Sequence, residues 1–298
     1  MNLEEVILEE EKVLYEVMPE ANRLVDRHLS QAKDWYPHVF VPWEKGRNFD
    51  EVNDWSPDEF PLPDVARSAL LVNLLTEDNL PYYYRTISAH MMKFDGLREW
   101  SLRWTAEESR HSIVIRDYLT VTRAVDPWLL EDMRIAQLSS GIVPEPPTPI
   151  ETLAYVTMQE LATRISHRNT GKLIDDPVGF NIMARVSQDE NLHHLFYRDI
   201  LEACMEVNPS LTIRAISRQT RNFEMPGTGI PGFNEHAKAI AKANIYNFKL
   251  HHEQILKPLI ERRWKAENIS GLNEDGEKEL GLLMRHMAKM EKVISRFS

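Results

Sequence analysis

Glu108-Ser-Arg-His111 and Glu190-Asn-Leu-His193 are the two phrases that decide how this chain folds. Each places a carboxylate and an imidazole at positions i and i+3, one turn apart on the same face of a helix. Glu77 precedes the first phrase by 31 residues, and Glu160 precedes the second by 30. The chain therefore carries two copies of one pattern: an acid, a span about one helical hairpin long, then Glu-x-x-His. No other Glu-x-x-His occurs in it. A lone copy would carry little weight, and the matched upstream acids supply the force of the argument. Four inward-facing helices bearing four Glu and two His build a dinuclear metal site, with Glu77, Glu108, His111, Glu160, Glu190 and His193 as its candidate ligands.

Charge explains why metal belongs there. Four carboxylates buried together repel one another and are costly to desolvate. Two divalent cations balance four Glu⁻, and neutral His adds no charge. Oxygen donors with one imidazole per ion suit iron or manganese. The single cysteine, Cys204, excludes an internal disulfide, a thiolate-rich zinc site and an iron–sulfur site. The formal net charge of −11, with no long Lys/Arg run, argues against a nucleic-acid partner. No apolar run reaches about eighteen residues, and the Glu-rich N-terminus does not read as a signal peptide. The expectation is a soluble cytoplasmic protein with no membrane span.

The pattern is helical almost throughout, with only 11 Gly and no sustained alternation of strand type. An amphipathic helix is expected near 3–30, then a Pro-marked irregular stretch over 37–63. Further helices are expected at about 63–92 with Glu77, 96–122 with Glu108 and His111, 150–174 with Glu160, and 177–207 with Glu190 and His193. Asp126-Pro127 opens a short helical crossover, and four prolines between Pro144 and Pro149 break the chain before the second half. The 52 residues from Glu108 to Glu160 leave room for one long crossover. That is the all-α, ferritin-like four-helix bundle of di-iron and di-manganese carboxylate proteins, with flanking helices. Residues 1–298 read as one such domain, its metal-binding core at about 63–207, because each half supplies only half the site.

The flanking residues carry a closer resemblance. Thr105-Ala-Glu-Glu-Ser-Arg-His111 resembles the Thr-Ala-Glu-Glu-Asn-Arg-His phrase of the soluble acyl-(acyl-carrier-protein) desaturases, the plant stearoyl desaturase family. Thr76-Glu77-Asp-Asn-Leu-Pro81-Tyr, Gln159-Glu160-Leu-Ala-Thr163, Ser166-His-Arg-Asn-Thr170 and Asp189-Glu190-x-x-His193 are similar to further phrases of that family. So are Trp35-Tyr-Pro-His-Val-Phe-Val-Pro42, Arg263-Trp-Lys265 and Gly271-Leu-x-x-x-Gly276-x-Lys278, so the resemblance runs from about Trp35 to the C-terminus. It implies two Fe per chain held by the six residues named above, with O2 as co-substrate. It also implies an acyl chain on acyl-carrier protein as substrate, ferredoxin or a similar electron donor, a homodimer, and a cis double bond as product in fatty acid biosynthesis. Thr163 matches the family's threonine near the dioxygen position. Asp189 and Trp35 match residues of an electron route through the first ligand His, with a hydrogen bond expected from Asp189 to the His111 ring.

Two departures stand out. The Glu77–Glu108 span is shorter than in plant members by about two helical turns, so that end of the bundle must differ. The resemblance also puts the helix just past Glu77 along the acyl channel. Here that stretch holds Thr86, Ala89 and His90, so a preference for stearoyl chains does not carry over. A di-iron hydroxylase or N-oxygenase would share the six ligands, as would an inactive paralogue. An iron-storage protein would be shorter, and a reductase radical subunit would need Tyr83 or Tyr84 near the metals. Arg214, Arg218 and Arg221 form a stripe expected to meet the acidic carrier. Glu107, beside a candidate ligand, is expected to tolerate change.

Overall fold

The computed structural model describes residues 2–49 and 55–297. Among the described residues there is no strand, and no helix is long and apolar enough to cross a membrane. The helices are α1 (Leu3–Glu16), α2 (Met18–Gln31), α3 (Pro37–Phe40), α4 (Asp64–Glu77), α5 (Leu80–Met91), α6 (Asp95–Thr122), α7 (Pro127–Ser140), α8 (Pro149–Leu173), α9 (Pro177–Val207), α10 (Pro209–Arg221), α11 (Phe233–Lys242), α12 (Phe248–His251) and α13 (Glu274–Phe297). A π-wound segment, His252–Arg263, follows α12 and contains Pro258. Of the expected irregular stretch 37–63, residues 50–54 lie outside the described residues.

Local chemistry sets the boundaries. Thr148, Asp176 and Asn208 each accept a hydrogen bond from a backbone N–H in the first turn of α8, α9 and α10, and each is followed by Pro. Such a cap satisfies an otherwise orphaned donor, and Pro at the next position has no N–H to orphan. Two expected helices are split. The segment near 3–30 breaks at Val17, just before Pro19. The segment near 63–92 breaks at Asp78 and Asn79. Pro81 is the cause: within a continuous helix its missing N–H would leave the Glu77 carbonyl unpaired, and its ring would clash there. The break puts Glu77 at the last turn of α4. From α7, Arg134 clamps Asp78 at 2.6 and 3.1 Å and ties the crossover to this turn.

The helices α4, α6, α8 and α9 form the bundle, with α4 against α6 and α8, and α9 against α6 and α8. Helix α8 is buried on nearly every face from Pro149 to Thr163, which explains why its sequence lacks a polar stripe. Two apolar clusters flank the bundle's middle. One holds Trp104, Leu161, Ala162 and Phe196, with Trp100 stacked on Phe196 at 3.7 Å between ring centres. The other holds Leu74, Val114, Ile115, Met183 and Val186. The polar residues singled out above lie in the layer between them.

Glu10 of α1 is buried against the start of α8, where its Oε2 accepts the Ile150 N–H at 2.8 Å. Burial pushes its carboxyl from the usual 4.5 up to about 7, with hydrogen bonds from Thr148 and Ile150 only partly opposing. A folded-state value above the unfolded one means that the folded chain holds its proton while the unfolded chain loses it. Stability should therefore fall as pH rises from 4.5 through 7 and then level off, by roughly 3 kcal/mol from this group. Urea unfolding at pH 5 to 8 should show that component vanish in Glu10→Gln, with the variant the more stable at pH 8. Parallel curves for the two proteins would contradict this account.

Candidate metal centre

The six candidate ligands meet in the bundle's middle layer. Glu77 comes from the end of α4, Glu108 and His111 from α6, Glu160 from α8, and Glu190 and His193 from α9. One donor group is Glu77, Glu108, His111 and Glu190, and the other is Glu108, Glu160, Glu190 and His193. Within each, one ligand atom per residue lies within 4.8 Å of the others. Glu108 and Glu190 belong to both groups. Two cations held by these groups would share Glu108 and Glu190, with Glu77 and His111 left to one and Glu160 and His193 to the other.

Three of the inward-facing donor atoms have no hydrogen-bond partner. His193 Nδ1 stands 2.7 Å from Glu108 Oε1 and 3.5 Å from Glu160 Oε2. These three atoms are fully buried and make no hydrogen bond. His111 Nδ1 faces Glu108 at 3.1 Å, Glu190 at 3.5 Å and Glu77 at 3.6 Å. Buried oxygens and nitrogens left unpaired where they converge suit a bound cation, because buried polar atoms are otherwise paired. The set fits a pair of divalent ions with a preference for oxygen and imidazole.

Electrostatics without a cation shows the same tension. Burial drives Glu160 well above the ordinary carboxylate range, and the Glu190 and Glu108 charges add to it. Burial also acts to raise Glu190, but hydrogen bonds from His111 and His167 outweigh it and hold that carboxylate far down. Burial disfavours the charged imidazolium of His111 and His193, yet the surrounding carboxylates push both rings well up. The cluster thus draws positive charge from whatever source is at hand.

The outer contacts repeat the twofold pattern. Behind His111, Nε2 faces Asp189 Oδ2 at 3.5 Å, and the Trp35 Nε1–H donates to the same oxygen at 2.7 Å. Arg185 also binds Asp189 and lies 5.7 Å over the Trp35 ring. Behind His193, Nε2 meets Glu107 Oε2 at 2.9 Å. His28 Nε2 reaches the same oxygen at 3.0 Å, and Arg103 binds the other Glu107 oxygen at 2.5 Å. The expectation that Glu107 tolerates change is therefore corrected: it is 2% exposed and orients a candidate ligand. Both phrases begin acid-Glu-x-x-His, so the repeat that relates Asp189 to His111 relates Glu107 to His193. Trp104, which donates to Glu160 at 3.0 Å, and His167, which meets Glu77 at 3.0 Å, were not singled out either. Their sequence signal was faint: spacing puts each on an inward face but cannot name its partner.

Thr163 lies one turn beyond Glu160 on α8 and beside Glu190. Its Oγ1 is 2.9 Å from Glu190 Oε2, 3.0 Å from the Glu160 carbonyl and 3.2 Å from the Gln159 carbonyl. One hydroxyl has one proton, so it donates to only one of these at a time. His194 points away from the centre to the Thr157 carbonyl, and His251 and His252 are buried packing residues. The arginine stripe on α10 is corrected: Arg218 is 3.5 Å from Glu151, and Arg221 binds Glu279 at 2.9 Å, so neighbouring acids offset two of its charges.

The chain is similar to known proteins over most of its length. The family model described as fatty acid desaturase matches residues 9–298. The chain is 39% identical over 289 residues to DesA1 of Mycobacterium tuberculosis, a candidate acyl-[acyl-carrier-protein] desaturase, covering 93% of this chain and 85% of that protein. It is 30% identical over 283 residues to the chloroplastic stearoyl-[acyl-carrier-protein] 9-desaturase of Simmondsia chinensis, covering 87% of this chain and 69% of that one. The X-ray structure of DesA2 from Mycobacterium tuberculosis superimposes with a TM-score of 0.71 at 27% identity, covering 90% of this chain and 99% of that chain.

Metal analysis of the purified protein should find two ions per chain. Glu107→Gln should weaken the ion beside His193 by about 10–100-fold while helix content stays unchanged, as loss of a ligand's outer hydrogen bond does. Glu99→Gln, exposed on the same helix, should be silent. Equal metal content in both variants across a chelator titration would refute the role given to Glu107.

Proposed function

The chain belongs to the fatty acid desaturase family, and on that premise we propose that it is an O2-dependent di-iron desaturase that places a cis double bond in an acyl chain held on acyl-carrier protein. The sharing of Glu108 and Glu190 between two donor groups carries the reading. Bound as a pair, iron would supply the activation of O2 and the oxidising power that no side chain has. The reaction balances as two C–H bonds lost from neighbouring methylenes, with O2, two electrons and two protons taken up and two waters released.

The chain's own residues then have defined tasks. Glu77, Glu108, Glu160, Glu190, His111 and His193 hold the ions, while Asp189 and Glu107 fix the two imidazole rings from behind. Thr163 can hand a proton toward the centre from its place beside Glu190 Oε2. The apolar clusters on either side exclude water from the layer. Electrons arrive along Trp35, Asp189 and His111, a contiguous path from near the surface to the donor atoms. A recess lined by Lys33, Arg164, Arg168 and Lys172 adjoins Arg185 beside that path. Such a cluster of cations on an acidic chain suits an acidic donor such as ferredoxin. Exposed Trp128, Ile135 and Ile142 recur at seven-residue spacing along and just past α7 and support pairing as a homodimer. The same reading treats the chain as a single cytoplasmic domain.

Iron-loaded protein supplied with acyl-carrier protein bearing a saturated chain, O2 and a reductant should yield an alkene by mass spectrometry. A hydroxylated or N-oxidised product in its place would favour the oxygenase reading. Thr163→Ala should keep both ions but consume O2 without matching alkene. Trp35→Phe should slow reduction by a protein donor yet respond normally to dithionite. Charge reversal at Arg168 and Lys172 together should slow that same reduction most at low salt, since exposed charges are screened beyond about 10 Å at 0.1 M.

A further inference from the structure

A recess runs along the outside of the bundle between α8 and α9. The two helices lie antiparallel and close together here. Ser187 Oγ donates to the Arg164 carbonyl at 3.1 Å, and a Cβ on Gly171 would come within 3.0 Å of Met183 Cβ. Two small residues, Gly171 and Ala184, line the recess and leave its middle open. The space is about 730 Å³, a volume in the range of small-ligand sites. Its charge is one-sided. Lys33, Arg164, Arg168, Lys172 and Arg185 line it, and no Asp or Glu does.

On a chain with a formal net charge of −11, five cations gathered without an acid call for a reason. Elsewhere on the surface acids meet the arginines, as Glu20 meets Arg23 and Asp95 meets Arg98. Among the described residues Lys33, Arg164 and Arg168 have no ion pair. Arg164 is half-buried, and burial, then the Arg168 charge, hold its guanidinium below its ordinary pKa. An anion in the recess would relieve both. Arg164, Arg168 and Lys172 recur every fourth residue, so they stand about 6 Å apart along α8 and span about 12 Å. At the Lys172 end α9 brings up Phe180, whose backbone oxygen lies beside Gly171 and whose side chain lines the recess while 46% exposed. At the Arg164 end the amides of Gln188 and Asn191 add further polar groups.

We propose that this recess binds a nucleoside di- or triphosphate, with its phosphates along Arg168 and Arg164 and its base on Phe180. A phosphate chain carries several charges within a few ångströms and bridges cations spaced as these are. Guanidinium forks match phosphate oxygens two at a time. An aromatic face stacks a nucleobase whatever its sequence identity, and Phe180 stands at one end of the cationic row, where a base joined to those phosphates would fall. Arg185 ties the site to the candidate metal centre: it lines the recess, binds Asp189 and lies 5.7 Å over the Trp35 ring. A bound polyphosphate occupies the cations that an acidic electron donor would meet, so nucleotide and donor exclude one another. That consequence rests on the desaturase reading above, and the binding itself does not.

Equilibrium dialysis tests the site without needing turnover. The full-length protein, iron-loaded and metal-free, would be dialysed against magnesium ATP, magnesium ADP, inorganic pyrophosphate and adenosine. ATP and ADP should bind once per chain, equally in both forms of the protein, and more tightly than pyrophosphate or adenosine. Arg164→Gln combined with Arg168→Gln should weaken ATP about tenfold or more, as loss of hydrogen bonds between charged groups does. Lys172→Gln serves as the second variant should that pair fail to fold. Phe180→Ala should weaken ATP and leave pyrophosphate unchanged, and Lys289→Gln, exposed on α13, should change neither. Pyrophosphate bound as tightly as ATP, or ATP binding untouched by Phe180→Ala, would reduce the recess to an unspecific anion site and overturn the nucleotide. No ATP binding, or binding that requires iron, would overturn the site altogether. Saturating ATP should also slow reduction of the iron-loaded protein by a protein donor but not by dithionite, and an unchanged rate would overturn the mutual exclusion. Alkene formation is read in a separate assay, so failure of the nucleotide site and failure of the desaturase reading are told apart.

Discussion

Four carboxylates sealed in one dry layer are the constraint on which the structure turns. Ionised and unpaired, they would repel across a few ångströms with little water to screen them. The opposed shifts of Glu160 and Glu190 express this directly: one carboxyl is driven toward its neutral form while its neighbour gathers the imidazole protons. Two divalent cations remove the conflict at once. Much of the architecture serves to hold the layer ready for them. The flanking apolar clusters keep water out, and α8 is buried on almost every side because it threads the middle of the arrangement. Breaking α4 at Pro81 sets Glu77 at a helix end, where its side chain can turn inward.

The centre is nearly twofold, and its asymmetry lies in the outer contacts. Each half supplies an acid, then a Glu-x-x-His, and each His is backed by the acid that precedes the other half's Glu. The two backings differ. Asp189 is joined to Trp35 and Arg185, close to a basic recess, and so connects the first imidazole to the surface. Glu107 is enclosed by His28, His193 and Arg103, and Trp100 stands edge-on to the His193 ring. One repeat thus yields two imidazoles with different backing. The difference comes from what packs outside the bundle, namely α2 and the segment after it, which lie beyond the repeated sequence.

The same separation shapes the spaces beside the centre. Two of them are bounded by α8, yet one is closed and the other open. The closure depends on polar bonds between α5 and residues 138–146, two segments more than fifty residues apart in the chain. The open space lies between α4, α8, α10, α11, α12 and α13 and is walled in part by Phe223, Phe233 and Met290.

The bundle and its six inward donors were legible in the chain because both follow from local rules. A period of 3.6 residues fixes which side chains share a face, and Glu-x-x-His states the spacing outright. Caps such as Asp176-Pro177 and Asn208-Pro209 marked where α9 and α10 begin. Pro81 was visible too, but whether a proline kinks a helix or ends it depends on what packs against the freed carbonyl. The remaining features needed the tertiary structure, since each is a contact between distant segments. Glu107 looked like an outward neighbour of Glu108 until His28, 79 residues away, and His193, 86 residues away, closed on it. The arginines of α10 looked free until Glu151 and Glu279 met two of them. Periodicity tells which way a side chain points from its own helix. Only the packing of the other helices decides whether it meets a partner, a wall or an open cavity.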